Sequence, residues 1–219
     1  MVVNVIIAGV GGQGSIMASR IIADAVLSGG NAPGSAGGSE SWRESAGGVE
    51  HGARKVRVGE TFGAAMRGGA VSSHVRIGDV EGPLVPEDGC NLIIGLEPLE
   101  ALRIAVKYLA PGGTVVLNTE KNLPTDVKVG MAVYPEIAKI EEAIKDLGGK
   151  VVSLDASELA RNAGSTRSVN VVMLGAAFGT GILPTSKDAL INAISGRVPP
   201  KTVETNLKAF TAGLEAGVR

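Results

Sequence analysis

Residues Ile6 to Gly14 read IIAGVGGQG, and the segment SIMASRIIADAVL follows at once over residues 15–27. The run Val2 to Ala8 is almost unbroken apolar and rich in β-branched side chains. Such a run suits a strand covered on both faces, as in a parallel sheet. It breaks into the spacing Gly9-x-Gly11-x-x-Gly14. Gly9 and Gly11 permit backbone angles that a Cβ forbids, and Gly14 lets the following helix approach the strand closely. The stretch therefore specifies a buried strand, a tight turn and a helix whose first amides face the turn. Those amides favour an anion such as a phosphate.

A dinucleotide site needs one more element, an acidic residue ~20 positions further on at the end of a second strand. Here residues 31–48 read NAPGSAGGSESWRESAGG, which is no strand. Asp24 falls inside the first helix, and Glu60 ends a plausible strand but comes too late. Three readings of the turn stay open on local grounds. It is a structural turn, or a contact for an anion or a partner, or the nicotinamide site of a free-standing Rossmann-type NAD-binding protein or dehydrogenase.

Composition narrows the choice. A chain of 219 residues with 44% hydrophobic residues suits one domain, taken here as 1–219. A net charge of −1 and 3% aromatic content argue against a nucleic-acid partner. Asn4 and Gly9 interrupt the N-terminal apolar run, so neither a signal peptide nor a membrane span is expected, and a cytoplasmic location is the default. Cys90 is the single cysteine, whereas an iron–sulfur cluster needs about four thiolates. His51, His74 and Cys90 have no metal-ligand spacing.

Strand and helix patterns then alternate, which implies an α/β fold: a Rossmann-like, mostly parallel sheet with helices on both faces and C-terminal helices. The exception is a Gly/Ser-rich stretch over 30–54, read as an inserted loop carrying the only tryptophan, Trp42, as a partner anchor or a residue packed on its own domain. Lys55 to Gly59 reads as a strand. Ala70 to Ile77 alternates, with Ser72, His74 and Arg76 on a polar face, which predicts a half-exposed strand and a surface His74. Further strands are expected over 91–96, 114–118, 127–133 and 151–154. Helices are expected from Pro98, from Glu136 to Leu147, behind Asp155 or Ser157, behind Ser168 and Ser186, and from Pro200. The near-chargeless helix VNVVMLGAAFGTG must be buried, in this core or against another subunit.

The motifs of self-sufficient chemistry are missing. There is no G-x-S-x-G elbow and no P-loop lysine. Glu97, Glu100 and Glu136 fall at helix starts, where they complement the dipole. One further segment draws attention, Phe62 to Ala70, FGAAMRGGA. Arg67 followed by Gly68 and Gly69 sets backbone amides beside a guanidinium, which favours carboxylate or phosphate oxygens. The plainer reading is a glycine turn with Arg67 in solvent.

Taken in order, GVGGQG (9–14), FGAAMRGG (62–69), SHVRIGD (73–79), GLEPLEALR (95–103), PGGTVVLNT (111–119) and RSVNVVMLGA (167–176) resemble the gamma-type domain of the 2-oxoacid:ferredoxin oxidoreductases. The likeness spans nearly the whole chain outside 30–54, and is nearest to members that act on an aryl 2-oxo acid such as indolepyruvate. It implies a non-thiamine-binding subunit of a hetero-oligomer that oxidatively decarboxylates a 2-oxo acid to an acyl-coenzyme A. Thiamine diphosphate, magnesium and the iron–sulfur clusters would sit in partner subunits, ferredoxin would meet the complex, and the isolated chain would be inactive. The candidate binding residues are Gly9, Gly11, Gly12, Gln13, Gly14, Arg67, Gly68 and Gly69, with no catalytic residue and no metal ligand. The resemblance implies that Arg67-Gly68-Gly69 lies nearest the shared active region, against coenzyme A or a neighbouring subunit.

Overall fold

The computed structural model describes residues 2–29, 49–51, 54–63 and 68–218. The first strand, β1 (Val3–Val10), leads through the glycine turn into helix α1 (Ser15–Ser28). Then come β2 (Val49–His51), β3 (Arg54–Phe62), β4 (Ala70–Ile77), β5 (Cys90–Gly95), α2 (Pro98–Tyr108) and β6 (Leu109–Asn118). The chain continues through α3 (Thr125–Lys128), α4 (Ile137–Asp146), β7 (Lys150–Leu154), α5 (Ala156–Asn162), α6 (Val169–Gly179), α7 (Lys187–Arg197) and α8 (Val203–Gly217). Trp42 and most of the 30–54 stretch lie outside the described residues, but its last part is sheet, not loop: β2 pairs antiparallel with β3.

The described strands form one sheet in the order β2-β3-β4-β1-β5-β6-β7. β1, β5, β6 and β7 run parallel, while β4, β3 and β2 extend the sheet antiparallel from β1. Val5 and Ile7 on one face of β1 pack into a core with α1 and the C-terminal helices. Ile6 and Ala8 on the other face join a second core with Ala101 and Ala105 of α2 and Ile140 and Ile144 of α4. Both faces being covered explains the unbroken apolar run with which β1 begins.

α6 lies in this core and not on a free surface: Val171 to Leu174 are fully buried. It packs backbone to backbone on α8. A Cβ on Gly175 would overlap the Phe210 carbonyl, and one on Gly213 would overlap the Val172 carbonyl. Small residues permit this approach and nothing larger fits. Caps at the other helices follow the sequence. Asp155 Oδ1 accepts from Glu158 N–H (2.8 Å) and Ser186 Oγ from Ala189 N–H (3.1 Å). Ser168 holds the N-cap position of α6 without a side-chain capping bond.

Three expectations need correction. Residues 127–133 are no strand, since α3 and a turn occupy 125–131, with Gly130 N–H donating to Val127 O and Met131 N–H to Asp126 O. The strand expected over 114–118 starts earlier, at Leu109 directly after α2 ends at Tyr108, so Pro111-Gly112-Gly113 fall inside β6, at a register shift opposite Cys90–Leu92. And His74 is fully buried, not at the surface. The 78–89 connection folds over the polar face of β4. Val85 N–H donates to His74 Nδ1 (3.1 Å), and the Tyr108 ring meets the imidazole edge-on at 5.4 Å. An accepting Nδ1 leaves the proton on Nε2, which donates to Ser72 Oγ (3.2 Å), and Ser72 bonds Thr61 Oγ1 (2.7 Å).

Burial, helped by the nearby Lys107 charge, lowers the His74 pKa from 6.5 to about 4. The native state thus holds a neutral imidazole while the unfolded chain takes up a proton below pH 6.5. Stability is unaffected above that value and falls as pH drops from 6.5 through 4, by about 2–3 kcal/mol from this residue. Urea unfolding at pH 7 and pH 4.5 should show this loss, and His74→Gln should remove most of the difference between the two. An equal loss in that variant refutes the assignment. At the α6–α8 contact, Gly213→Ala should cost about 1–3 kcal/mol by overpacking. Gly196→Ala in α7, where an added Cβ meets nothing within 4 Å, should be neutral or stabilising by up to about 1 kcal/mol. Equal unfolding midpoints for the two would contradict the packing described.

Candidate functional site

The parallel strands end on one edge, and there the connections part. β1 sends its chain to α1 on one face, and β5 sends its chain to α2 on the other. This is the topological switch point, where open α/β sheets hold ligands. The glycine turn sits on it.

Within the turn the positive φ angles belong to Gly12 (108°) and Gly14 (86°). The local reading had placed that need at Gly9 and Gly11. Gly9 answers to space instead, since a Cβ there would come within 3.0 Å of Leu96 Cβ and 2.6 Å of Gln13 Oε1. Gly14 is close-packed too, its absent Cβ pointing at Asn170 Nδ2 (2.6 Å), and its carbonyl accepts from that amide (3.3 Å). Asn170, at the start of α6, thereby ties the head of α1 to a helix 156 residues away.

Gln13 turns back into the crevice. Its Oε1 accepts from Val10 N–H (2.7 Å) and its Nε2 donates to Leu96 O (3.4 Å). Leu96 O also accepts from Asn118 Nδ2 (3.1 Å), and Asn118 Oδ1 accepts from Ala156 N–H (3.1 Å). One chain of amides thus laces the ends of β1, β5, β6 and β7. The gap a dinucleotide would enter at the switch point is spanned by the protein's own side chains. This takes support away from the nicotinamide reading.

The two glycine motifs, more than fifty residues apart, are brought together. Gly11 N–H donates to Gly69 O (2.9 Å) and Gly68 N–H donates to Gly11 O (3.3 Å), extending the β1–β4 pairing past the strand ends. Gly9, Gly11, Gly12, Gln13, Gly14, Gly68 and Gly69 therefore form one local patch. Arg67 lies outside the described residues.

Sequence reasoning had treated Glu97 only as a dipole partner, and it missed Tyr134. Glu97 is fully buried, caps α2 by accepting from Glu100 N–H (2.9 Å), and accepts a short hydrogen bond from Tyr134 OH. Asn122 N–H reaches the same carboxylate oxygen at 3.4 Å, and Leu99 N–H donates to Tyr134 OH (3.2 Å). Burial, then the hydrogen bond and charge of Glu97, push the Tyr134 pKa well up, so the phenol stays a donor. Glu100 is raised by burial and by Glu97, against the pull of Arg103 at 2.6 Å. The only hint in the sequence was an acid directly before a proline-started helix.

No three His, Cys, Asp or Glu side chains converge among the described residues. Cys90 is buried, and burial pushes its thiol up to about 12, so it is a thiol and not a metal-binding thiolate. Among the described residues no side-chain set fits an iron–sulfur cluster or a magnesium diphosphate.

Comparison with known proteins now decides the class. Residues 44–216 match the family described as pyruvate ferredoxin/flavodoxin oxidoreductase. The chain belongs to this family. It is 38% identical over 218 residues to the indolepyruvate oxidoreductase subunit IorB of Archaeoglobus fulgidus, covering 100% of this chain and 96% of that protein. The IorB of Thermococcus kodakarensis is 37% identical, with 97% and 95% covered. Among solved structures, a keto/oxoacid ferredoxin oxidoreductase gamma subunit from Geobacter sulfurreducens aligns with a TM-score of 0.63 at 22% identity, over 99% of this chain and 98% of that one. A 2-oxoglutarate:ferredoxin oxidoreductase from Magnetococcus marinus, with 2-oxoglutarate, coenzyme A and succinyl-CoA bound, aligns at 0.67 and 21% identity. It matches 99% of this chain but 31% of that longer chain. The relatives are subunits of multi-subunit oxidoreductases, and this chain is a small subunit of that kind. No helix among the described residues is long and apolar enough to cross a membrane.

Tyr134→Phe should leave the buried Glu97 carboxylate short of one donor and cost about 1–3 kcal/mol in urea unfolding. An unchanged midpoint would mean that the phenol does not satisfy Glu97.

Proposed function

We propose that this chain is the non-thiamine-binding subunit of a 2-oxoacid:ferredoxin oxidoreductase that converts an aryl 2-oxo acid, such as indolepyruvate, to an acyl-coenzyme A. The observation that carries this is near end-to-end similarity to four IorB subunits at 32–38% identity. The 2-oxoglutarate synthase subunit KorC of Methanothermobacter thermautotrophicus is more distant at 29%. The edge geometry supports the same reading. A switch point laced by Gln13 and Asn118, with no metal-ligand cluster among the described residues, suits a subunit that shapes and covers another subunit's chemistry.

On this reading thiamine diphosphate, magnesium and the iron–sulfur clusters belong to partner subunits in the cytoplasm, and ferredoxin takes the electrons. The joined patch of Gly9–Gly14 with Gly68-Gly69 faces coenzyme A or the neighbouring subunit, with Arg67 supplying the charge. Backbone amides beside a guanidinium suit the phosphates of coenzyme A.

The test is reconstitution. The purified chain alone should give no 2-oxo-acid-dependent reduction of ferredoxin. Combined with its thiamine-binding partner and coenzyme A it should do so, faster with indolepyruvate than with pyruvate or 2-oxoglutarate. Arg67→Ala in that complex should raise the KM for coenzyme A by about tenfold or more, the worth of one lost charge-assisted contact. Turnover by the lone chain, or a preference for a small aliphatic 2-oxo acid, would refute the assignment.

A further inference from the structure

Two arginines stand side by side on the sheet face away from α1, and neither meets a carboxylate. Arg57 of β3 and Arg76 of β4 are direct partners in the antiparallel register. Like charges placed opposite each other in this way are destabilising. The connection after β4 folds over both. Arg57 Nε–H donates to Val80 O (3.4 Å), and Arg76 Nη1–H donates to Gly82 O (2.9 Å). Those carbonyls belong to residues two apart, at most about 7 Å along the chain, so the two guanidinium groups are neighbours.

The pair is oriented but not neutralised. Arg76 Nε–H donates to Asn4 Oδ1 (3.0 Å), and Asn4 is itself held by its Nδ2–H bond to Gly89 O (2.8 Å). Both arginines are half-buried. Each neutral acceptor aims a planar fork without cancelling its charge. Both Nη groups of Arg57 and the Nη2 group of Arg76 have no acceptor among the described residues. The acids of the 78–89 connection do not supply one. Asp79 pairs with Lys55 (3.1 Å) and Glu87 with Lys107 (3.7 Å). Glu81 and Asp88 are exposed and pair with neither arginine.

We propose that Arg57 and Arg76 together bind a phosphate group, as inorganic phosphate or as the phosphate of a small ester, through their remaining Nη hydrogens. One carboxylate would neutralise only one of the two charges. A phosphate carries about −1.5 to −2 at pH 7 and presents three oxygens to guanidinium forks whose geometry matches it. The place is separate from the glycine patch. Arg76 pairs with Asn4 near the start of β1, whereas Ala70, beside the patch, pairs with Val10 at its end. A bound phosphate would join β3 and β4 under the Val80 and Gly82 carbonyls and so hold the 78–89 connection to the sheet. The inference does not depend on the function proposed above.

The test is calorimetric titration of the full chain with inorganic phosphate, and separately with glycerol 3-phosphate, at an ionic strength held constant with chloride. Saturable binding at about 1 mM or tighter is expected for at least one of them, and the tighter of the two shows whether the site takes the free ion or an ester. Arg57→Gln should weaken that binding at least about tenfold. In chloride alone its unfolding midpoint should not fall, because the substitution relieves a like-charge pair. Arg67→Ala, at the glycine patch, should bind phosphate as wild type does. As a measurement independent of any variant, amide exchange over residues 80–85 should slow when phosphate is added. No saturable binding of either probe overturns the site. So does wild-type affinity in Arg57→Gln, and so does a loss of binding in Arg67→Ala alone, which would put the phosphate at the glycine patch. A lowered midpoint of Arg57→Gln in chloride would make Arg57 a structural tie and also overturn the proposal.

Discussion

One carbonyl holds the working edge of this molecule together. Leu96 O accepts from Gln13 Nε2 and Asn118 Nδ2, while Leu96 N–H donates to Ala8 O (2.7 Å). Three strand ends that would otherwise splay at the switch point are thereby fixed to each other. Because Asn118 also caps the entry to α5 through Ala156 N–H, the lacing reaches the fourth parallel strand. Each of these groups lies at the rim of a buried sheet, where a polar atom without a partner costs more than the bond it makes is worth. The constraint is therefore mutual. Removing any one amide orphans its partners, and the position of the glycine patch depends on all of them.

That constraint explains how a dinucleotide-like turn comes to be packed by the chain's own side chains. In the nucleotide-binding version of this fold, the glycines clear space for a pyrophosphate. Here Gly9 clears space for Gln13 and Leu96, and Gly14 for Asn170. The same residue type at the same spacing admits the protein's own side chains. Glycine spacing specifies closeness of approach, and what approaches is decided by residues elsewhere in the chain.

What was legible in the sequence follows that division. β1, the turn and α1 are local, so their pattern is read directly, and the helix caps at Asp155 and Ser186 are equally local. His74 was misread because strand alternation reports which side chains share a face, not what later covers that face, and the 78–89 connection covers it. Residues 127–133 were misread because apolar density was taken to mean burial within the chain. Glu97 and Tyr134 are 37 residues apart, and no pattern links them. Gln13 is part of a motif in the sequence, but its closing role depends on Leu96, 83 residues on. The resemblance in ordered motifs succeeded where local physics stopped, since it draws on the whole chain at once.

The closed edge and the exposed 123–133 segment are two sides of one arrangement. A ligand crevice needs unsatisfied polar groups held apart, whereas a docking surface needs satisfied polar groups and uncovered apolar ones. At the carboxyl edge the polar groups are satisfied and some apolar ones are uncovered. Gln13, Asn118, Asn170 and Glu97 are bonded within the chain, while Val129, Met131 and Val133 are left to solvent. An edge so built leaves few polar groups free for a small molecule in the β1–β5 crevice. The glycine patch is the exception. Its backbone sits in the open at Gly12 and Gly68, where an added Cβ would meet nothing within 4 Å.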